Sequence, residues 1–252
     1  MPRFAVILPA AGRSSRFKDK EKKPFVNLDG RAVWLRTAEL FITRNDVVQT
    51  LLVINKDDEE LVRRRYGANM AFMNVQLVHG GRERFDSVAN ALAVLAPEAD
   101  FVAIHDAVRP CVTAEQIGEV FATAAEAGAA LLAVPVTDTV KRVDDKGKVL
   151  GTLPRQGLWL AQTPQVFRRD WLLEAYANRD KLGKDITDDA QLVEAAGHPV
   201  AVVAGSPSNL KITTKADLSL ADAILKSRPK PKGTGPVHPF AEEEMWGGRG
   251  LK

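Results

Sequence analysis

A loop crowded with cations follows the first apolar run of the chain, and its residue types suit a polyphosphate ligand. The apolar run is Phe4–Leu8, and the small residues Ala10, Ala11 and Gly12 come soon after it. Small residues let the backbone approach a ligand closely and offer its N–H groups. Cations then dominate residues 13–23: Arg13, Arg16, Lys18, Lys20, Lys22 and Lys23. The segment predicts a phosphate-binding loop. A solvated basic loop is the alternative, because neither familiar glycine-rich phosphate motif is present.

Two further polar motifs follow apolar runs in the same way. Gly80-Gly81 comes after the run Val75–Val78, and Asp106 comes after Phe101–Ile104. In a parallel sheet the carboxyl ends of the strands meet at one edge, where α/β proteins bind their ligands. We therefore expect the three motifs to form one site. The alternatives are an ordinary turn for the glycine pair and a helix cap or structural carboxylate for Asp106.

Strand-like and helix-like segments alternate along the chain, which predicts an α/β fold. Apolar periodicity predicts helices over 31–44, 57–66, 86–95, 113–127, 169–178, 187–196 and 214–225. Apolar runs predict strands at 4–8, 50–54, 75–78, 101–104, 130–134, 163–167 and 200–203. This order predicts a parallel sheet with helices on both faces.

Residues 136–156 break this pattern. Apolar and polar residues alternate there around Asp144–Gly147, which predicts a β-hairpin arm. A lone two-stranded hairpin is marginal in water, so we expect this arm to pack on a second subunit.

Composition and charge point to a small anionic ligand. At 252 residues, with 45% hydrophobic and 27% charged residues, the chain fits one soluble domain. The net charge of +3 lies in residues 226–252, whereas residues 1–225 balance at 29 basic against 29 acidic side chains. Nucleic-acid binding usually needs a broad basic face, so no nucleic-acid partner is predicted. The segment 226–252 is rich in Pro, Gly and Lys and is predicted to be a disordered tail.

Three features predict a soluble cytoplasmic protein with no membrane partner. No apolar run approaches the roughly 20 residues that span a bilayer. Met1-Pro2-Arg3 leads directly into the first strand, without a signal peptide. The single cysteine, Cys111, excludes an internal disulfide and fits a reducing compartment.

Taken in order, the motifs resemble the 2-C-methyl-D-erythritol 4-phosphate cytidylyltransferase family of the non-mevalonate isoprenoid pathway. The motifs are Leu-Pro-Ala-Ala-Gly at 8–12 with Arg16-Phe17, Lys-Pro-Phe at 23–25, and the segments 80–88, 105–110, 139–141, 157–165, 185–188 and 209–212. The resemblance runs from about residue 4 to residue 225. It implies a single Rossmann-like nucleotidyltransferase domain over 1–225, with a mostly parallel twisted sheet flanked by helices and a protruding arm at 136–156.

The reaction that the resemblance implies joins CTP to a polyol phosphate and releases pyrophosphate. The acceptor phosphate is largely a dianion at neutral pH, since its second pKa is about 6. It needs no general base, so cations and a divalent metal such as Mg²⁺ should supply most of the catalysis. The sequence accordingly offers Arg and Lys, and its scattered histidines have no zinc-ligand spacing.

The resemblance also implies residue roles. Arg16, Lys23, Arg155 and Lys211 are the implied catalytic residues, with Arg16 and Lys23 on the triphosphate. The implied CTP-binding residues are Pro9, Ala10, Ala11, Gly12, Gly81, Arg82, Ser87, Asp106 and Ala107. The implied acceptor-binding residues are Asp106, Arg109, Thr139, Arg155, Thr163, Thr187 and Lys211. No residue is assigned as a direct metal ligand, although Asp106 could contact either the metal or the ribose. Each cation also has a simpler interpretation as a solvated surface charge.

Two alternatives remain beside the cytidylyltransferase on methylerythritol phosphate. One is the same chemistry on ribitol 5-phosphate or another polyol phosphate, and the other is a catalytically silent nucleotide-binding protein. In the resembling family the arm crosses a two-fold homodimer, which would place Thr139 and Arg155 in the partner's site.

Overall fold

The computed structural model describes residues 1–12, 17, 21–179 and 186–229. The strands are β1 (Phe4–Pro9), β2 (Asn27–Leu28), β3 (Arg31–Ala32), β4 (Val47–Ile54), β5 (Val75–His79), β6 (Phe101–Ile104), β7 (Ala129–Pro135), β8 (Val140–Val143), β9 (Val149–Leu153), β10 (Trp159–Arg168) and β11 (Ala201–Ala204). The helices are α1 (Val33–Ile42), α2 (Glu59–Phe72), α3 (Arg84–Leu92), α4 (Ala114–Ala127), α5 (Arg169–Ala177), α6 (Asp189–Ala195) and α7 (Lys215–Ser227), with short 3-10 turns at Lys23–Phe25 and Lys56–Asp58.

Seven of these strands form the central sheet, in the order β11-β7-β10-β6-β1-β4-β5. Because both faces of the sheet are covered, β1 is apolar at successive positions. Val6 and Leu8 pack with α1, α2 and α4, whereas Ala5 and Ile7 pack with α3, α5 and α6. The predicted α/β fold with helices on both faces is confirmed.

Strand β10 departs from the predicted parallel sheet. It pairs antiparallel with both β6 and β7, while β1 pairs parallel with β4 and β6. The reason lies in the connection from β7 to β10, which is the hairpin arm rather than a crossover helix. Parallel neighbours need a long crossover, whereas a hairpin connection returns the chain antiparallel.

The arm is a hairpin, as predicted. Strands β8 and β9 pair antiparallel and form a separate two-stranded sheet. Their turn is closed by Asp144, whose side chain accepts the backbone N–H groups of Lys146 and Lys148. Gly147 has a φ of +78°, which favours glycine.

The first predicted helix begins later than expected. Arg31–Ala32 pairs with Asn27–Leu28 across a tight turn, so α1 starts at Val33 rather than at Arg31. Asp29 and Gly30 both have positive φ in this turn. The tight turn therefore holds Arg31 and Ala32 in a short strand, although the apolar periodicity of the segment predicts a helix there.

Helix α7 anchors the last loop before it to the body of the domain. Val33, Cys111, Ile212 and Ala221 belong to one buried apolar cluster. Burial raises the pKa of the Cys111 thiol to about 11, so this cysteine packs as a small apolar group. Among the helices that the structure describes, none is both long and apolar enough to cross a membrane.

The tail starts later than the predicted boundary at residue 226. Helix α7 continues to Ser227, and the Arg228 guanidinium donates hydrogen bonds to the carbonyls of Cys111 and Val112. Residues 230–252 lie outside the described residues, so disorder in them stays a prediction.

Deleting residues 230–252 should leave the melting temperature and turnover nearly unchanged, because that segment has a composition that cannot bury a core. Deleting from Ser227 is the matched comparison. It also removes Arg228 and should lower the melting temperature. A loss of cooperative unfolding in the shorter deletion would show that the tail packs on the domain.

Candidate functional site

A cavity of about 410 Å³ lies where four strands of the sheet end. The loops after β1, β5 and β6 line it, as does Asn55, which directly follows β4. These are the three polar motifs that the sequence predicts to meet, so that prediction is confirmed. The site lies at the carboxyl ends of the strands, as is usual in open α/β sheets.

The cavity contains most of the residues that the sequence assigns to CTP or to catalysis: Pro9, Ala10, Ala11, Gly12, Lys23, Gly81, Arg82, Ser87, Asp106 and Lys211. It also contains residues for which the resemblance implies no role: Pro24, Asn55, Glu83, Arg84 and Val108. Ala107 is fully buried beside the cavity, and its N–H donates to the Pro9 carbonyl. Arg16 lies outside the described residues.

The Gly80-Gly81 pair does more than make an ordinary turn. A Cβ on Gly80 would lie 2.6 Å from Cβ of Ala11, and one on Gly81 would lie 2.2 Å from Cβ of Asp86. Both distances are shorter than real carbon contacts. A larger residue at position 80 would push the loops after β1 and β5 apart, and one at position 81 would clash with the first turn of α3. Ser87 closes the turn by accepting from the Gly81 N–H at 3.1 Å and donating to the Glu83 carbonyl at 3.0 Å. This hydroxyl therefore holds the shape of the loop.

Lys23 is set at the cavity by the buried residues that follow it. Pro24 and Phe25 are buried, and the Phe25 ring stacks on Tyr66 with centroids 6.3 Å apart. The Tyr66 hydroxyl donates to the Phe25 carbonyl at 3.2 Å. These contacts fix the backbone directly after Lys23, so the Lys23 side chain extends from a well-defined position.

Asp106 is the buried carboxylate of the site. Its Oδ2 lies 3.0 Å from Nζ of Lys211 and 3.2 Å from Nε of Arg109. Burial alone would raise the pKa of this carboxyl, but Lys211, Arg84 and Arg109 outweigh it and hold the pKa well below the usual range. Asp106 is therefore ionised at neutral pH and holds two cations beside the cavity.

Arg109 and Thr163 are not in the cavity lining, but both form hydrogen bonds with Asp106, which is. Arg109 Nη1 donates to the Asn209 carbonyl at 2.7 Å, in addition to its bond with Asp106. The Thr163 hydroxyl accepts the Asp106 N–H at 3.1 Å. Asn209 is fully buried, and its Nδ2 donates to the Thr163 carbonyl at 2.9 Å. This network ties the loop that carries Lys211 to the loop that carries Asp106.

His105 is a buried residue of this network that the sequence reasoning missed. Its Nε2 lies 3.1 Å from the Arg109 carbonyl, and its Nδ1 lies 3.2 Å from the Thr163 hydroxyl. Burial lowers the pKa of His105 to about 4, so the imidazole is neutral at pH 7. All partners are satisfied when Nε2–H donates to Arg109 and the Thr163 hydroxyl donates to Nδ1. The sequence signal that could have indicated its role is its position directly before Asp106.

Lowering the pH from 7 to 5 should destabilise the wild-type protein more than a His105→Gln variant. The pKa of His105 is lower in the folded state, so the unfolded chain binds the extra proton as the pH falls from about 6.5 towards 4. This costs about 2 kcal/mol of stability by pH 5. Thermal unfolding at both pH values measures it, and an equal drop in both proteins would contradict the assignment.

The other predicted acceptor residues lie away from the cavity lining. Thr139 and Arg155 belong to the arm, where the Arg155 guanidinium donates to the Thr137 carbonyl. Thr187 precedes α6, and its hydroxyl lies 3.2 Å from Oε1 of Gln191. Thr187 lines a separate hollow with Trp159 from β10. A single chain thus assembles the nucleotide half of the predicted site and leaves the acceptor half divided.

Comparisons with known proteins show the family to which the chain belongs. The family model of 2-C-methyl-D-erythritol 4-phosphate cytidylyltransferase (IspD) matches residues 4–227. A protein of that name from Rhodopirellula baltica is 43% identical, over 88% of this chain and 94% of its own length. Another, from Pelotomaculum thermopropionicum, is 41% identical over 90% of this chain and 96% of its own.

Solved structures of proteins with these names also share the fold of this chain. The 2-C-methyl-D-erythritol 4-phosphate cytidylyltransferase of Thermus thermophilus superposes with a TM-score of 0.74 at 32% identity, covering 90% of this chain and 100% of its own. The 4-diphosphocytidyl-2C-methyl-D-erythritol synthase of Anaerococcus prevotii gives 0.76 at 30% identity, covering 89% and 99%. The chain therefore belongs to the 2-C-methyl-D-erythritol 4-phosphate cytidylyltransferase family.

Proposed function

We propose that the cavity at the carboxyl ends of β1, β5 and β6 carries out the family's reaction. As a member of that family the chain is a nucleotidyltransferase of the non-mevalonate isoprenoid pathway. It transfers a cytidylyl group from CTP to 2-C-methyl-D-erythritol 4-phosphate, giving 4-diphosphocytidyl-2-C-methyl-D-erythritol and pyrophosphate. The observation that carries the assignment to this cavity is the meeting of the glycine turn, Lys23 and the Asp106–Lys211 pair.

The reaction needs charge and placement more than proton transfer. An oxygen of the acceptor phosphate attacks the α-phosphorus of CTP, and the bond from that phosphorus to the bridging oxygen breaks as pyrophosphate leaves. Because the acceptor is a dianion, no side chain has to remove a proton. His105, the histidine closest in sequence to the site carboxylate, is neutral, buried and occupied by structural hydrogen bonds.

Lys23 and Arg16 would hold the triphosphate and stabilise the charge on the five-coordinate α-phosphorus. A compact ammonium and a planar guanidinium suit phosphate oxygens in different ways, as a point charge and as a fork. The cytosine ring would lie against the Gly80-Gly81 turn, where the backbone approaches closely because no side chain intervenes. Carbonyl groups there can accept from the cytosine amino group, which uracil lacks.

Asp106 would position the Lys211 ammonium so that it can bind the acceptor phosphate. The Lys211 side chain is 39% exposed and that of Asp106 is 9% exposed, so the Lys211 ammonium can contact a phosphate on its exposed side while it stays paired with Asp106. Asp106 also has oxygen lone pairs suited to ribose hydroxyls.

Mg²⁺ fits the chemistry of the cavity as an ion shared with the triphosphate. No cluster of three potential metal-binding side chains occurs among the described residues, and the cavity carboxylates are Asp106 and Glu83. Mg²⁺ usually takes one or two carboxylates and completes its shell with substrate phosphates and water. Asp106 is the residue that would hold the ion. When bound, the ion supplies charge neutralisation on the triphosphate.

We further propose a homodimer in which the arm reaches the partner's cavity. The apolar side chains of the arm and of the start of β10 are exposed: Leu150 is 61% and Trp159 is 46% exposed. Exposed apolar side chains grouped on one arm are typical of an interaction site. A partner arm carrying Thr139 and Arg155 would supply the acceptor contacts that a single chain leaves outside the cavity. The free, buried thiol of Cys111 supports a reducing, cytoplasmic location for this dimer.

Pyrophosphate release tests the proposed function directly. With Mg²⁺ present, the protein should release pyrophosphate from CTP and methylerythritol phosphate, and much less with UTP, ATP or GTP in place of CTP. Ribitol 5-phosphate in place of methylerythritol phosphate tests the acceptor. Equal rates on both polyols would overturn the acceptor assignment, and no release with any pair would overturn the activity.

A further inference from the structure

Arg84 is a cation of the cavity to which the roles above give no task. It is the first residue of α3 and lines the cavity with Gly81 and Asp106. Its Nη2 donates to Oδ2 of Asp189 at 2.6 Å, and Asp189 is 0% exposed. The two residues are 105 positions apart in the chain, so the pair joins two distant elements.

The carboxylate of Asp189 is held on both oxygens. The Tyr176 hydroxyl donates to Oδ1 at 2.6 Å. Burial and the neighbouring carboxylate raise the pKa of Tyr176 far above its usual range, so the phenol remains a donor. Burial alone would lower the pKa of Arg84, but Asp189 and Asp106 reverse the direction and keep the guanidinium charged. Arg84 is thus attracted by two buried carboxylates, one in the cavity and one outside it.

Asp189 begins the helix that follows Thr187. Asp188 caps this helix α6, and Gln165 of β10 ties its start to the sheet: Gln165 Nε2 donates to Asp188 at 2.9 Å and its Oε1 accepts the Ala190 N–H at 3.1 Å. We call residues 80–83, which follow β5, the nucleotide loop. Arg84 therefore joins this loop to the start of α6, beside the implied acceptor residue Thr187.

The energetics of this pair favour a role in positioning. Replacing a buried ion pair with apolar groups is often neutral or stabilising, so such a pair is weak evidence for stability alone. Within the described part of the chain, Nη1 of Arg84 is buried and has no hydrogen-bond partner. A buried donor without a partner destabilises the folded state. The Arg84–Asp189 pair therefore adds little to the stability of the fold, although it lies where the proposed CTP-binding part of the site meets the acceptor part.

We propose that Arg84 is a positioning residue that fixes the Thr187 segment against the nucleotide loop, so that the acceptor phosphate is held at a set place relative to CTP. This rests on the proposed function. The nucleotide loop keeps its own shape without Asp189, because Gly80 bonds to Ile54 at 2.7 Å and Gly81 bonds to Ser87 at 3.1 Å. Loss of the Arg84–Asp189 pair should consequently affect the acceptor more than CTP.

The Asp189→Asn variant of the full chain tests this. Its KM for methylerythritol phosphate should rise about tenfold or more, the range of typical coupling between sites. Its Kd for CTP, measured by calorimetry without the acceptor, should change less than about twofold on the same scale. An equal loss for both substrates, or a lower melting temperature with unchanged KM, would overturn the proposal.

Tyr176→Phe is the matched control, since it removes a hydrogen bond to the same carboxylate and leaves the pair with Arg84 in place. Its acceptor KM should stay near the wild-type value, and an increase as large as that of Asp189→Asn would overturn the proposal. If Asp189→Asn fails to fold, Asp189→Glu keeps the charge but displaces the carboxylate, and the same difference between substrates decides. A wild-type protein that is inactive would instead refute the proposed function.

Discussion

Replacing Lys23 with alanine should lower kcat by on the order of 10²-fold or more, which is the effect of removing one oxyanion-type stabiliser. Lys23 lines the cavity beside the loop after β1, where the triphosphate would lie. Arg16→Ala should have an effect of the same size, although Arg16 lies outside the described residues. Lys23→Arg should not restore full activity, because a planar fork replaces a compact point charge.

Lys22 offers a matched control for the Lys23 experiment. It is the adjacent lysine, it does not line the cavity, and its Nζ pairs with Asp58 at 2.7 Å. Lys22→Ala removes the same charge from the same loop, so a general electrostatic effect would appear in both variants. Steady-state kinetics with saturating CTP and acceptor should show a large loss for Lys23→Ala and a small one for Lys22→Ala. Near-normal kcat in both Lys23→Ala and Arg16→Ala would refute the assignment of these cations.

The sequence predicts the positions of the strands better than their directions. Apolar runs such as Phe101–Ile104 mark buried strands because both faces of the sheet are covered. Nothing in the composition of residues 159–168 distinguishes an antiparallel strand from a parallel one. The direction of β10 follows from its connection, since the arm returns the chain from β7 without a crossover helix.

The part of the cavity that we propose binds CTP is predictable from the sequence because its signals are local. Glycines that permit close approach, and a carboxylate at a strand end, are visible in short segments such as residues 80–81 and 105–106. The roles of His105 and Arg84 were not predicted, because they depend on partners that are remote in the sequence. His105 bonds to a residue 58 positions away and Arg84 to one 105 positions away, and no periodicity in a single sequence reports such pairs.

The arm divides the acceptor residues between chains in the proposed dimer, and this division has a testable consequence. Lys23 and Lys211 line the cavity of their own chain, whereas Arg155 lies on the arm. If the arm crosses the two-fold axis, each active site combines the cavity of one protomer with the arm of the other. Lys23→Ala and Arg155→Ala then damage different halves of the site.

Mixing these two inactive proteins, with subunit exchange or co-expression, should restore activity to roughly a quarter of the wild-type level. Random pairing makes about half of the dimers mixed, and each mixed dimer has one site with an intact cavity and an intact arm. Lys23→Ala mixed with Lys211→Ala is the control, because both changes lie in the cavity and every mixed site then contains one of them. That mixture should stay inactive. If mixed dimers of Lys23→Ala and Arg155→Ala form and remain as inactive as the control, Arg155 does not serve the partner's site and the arm does not cross.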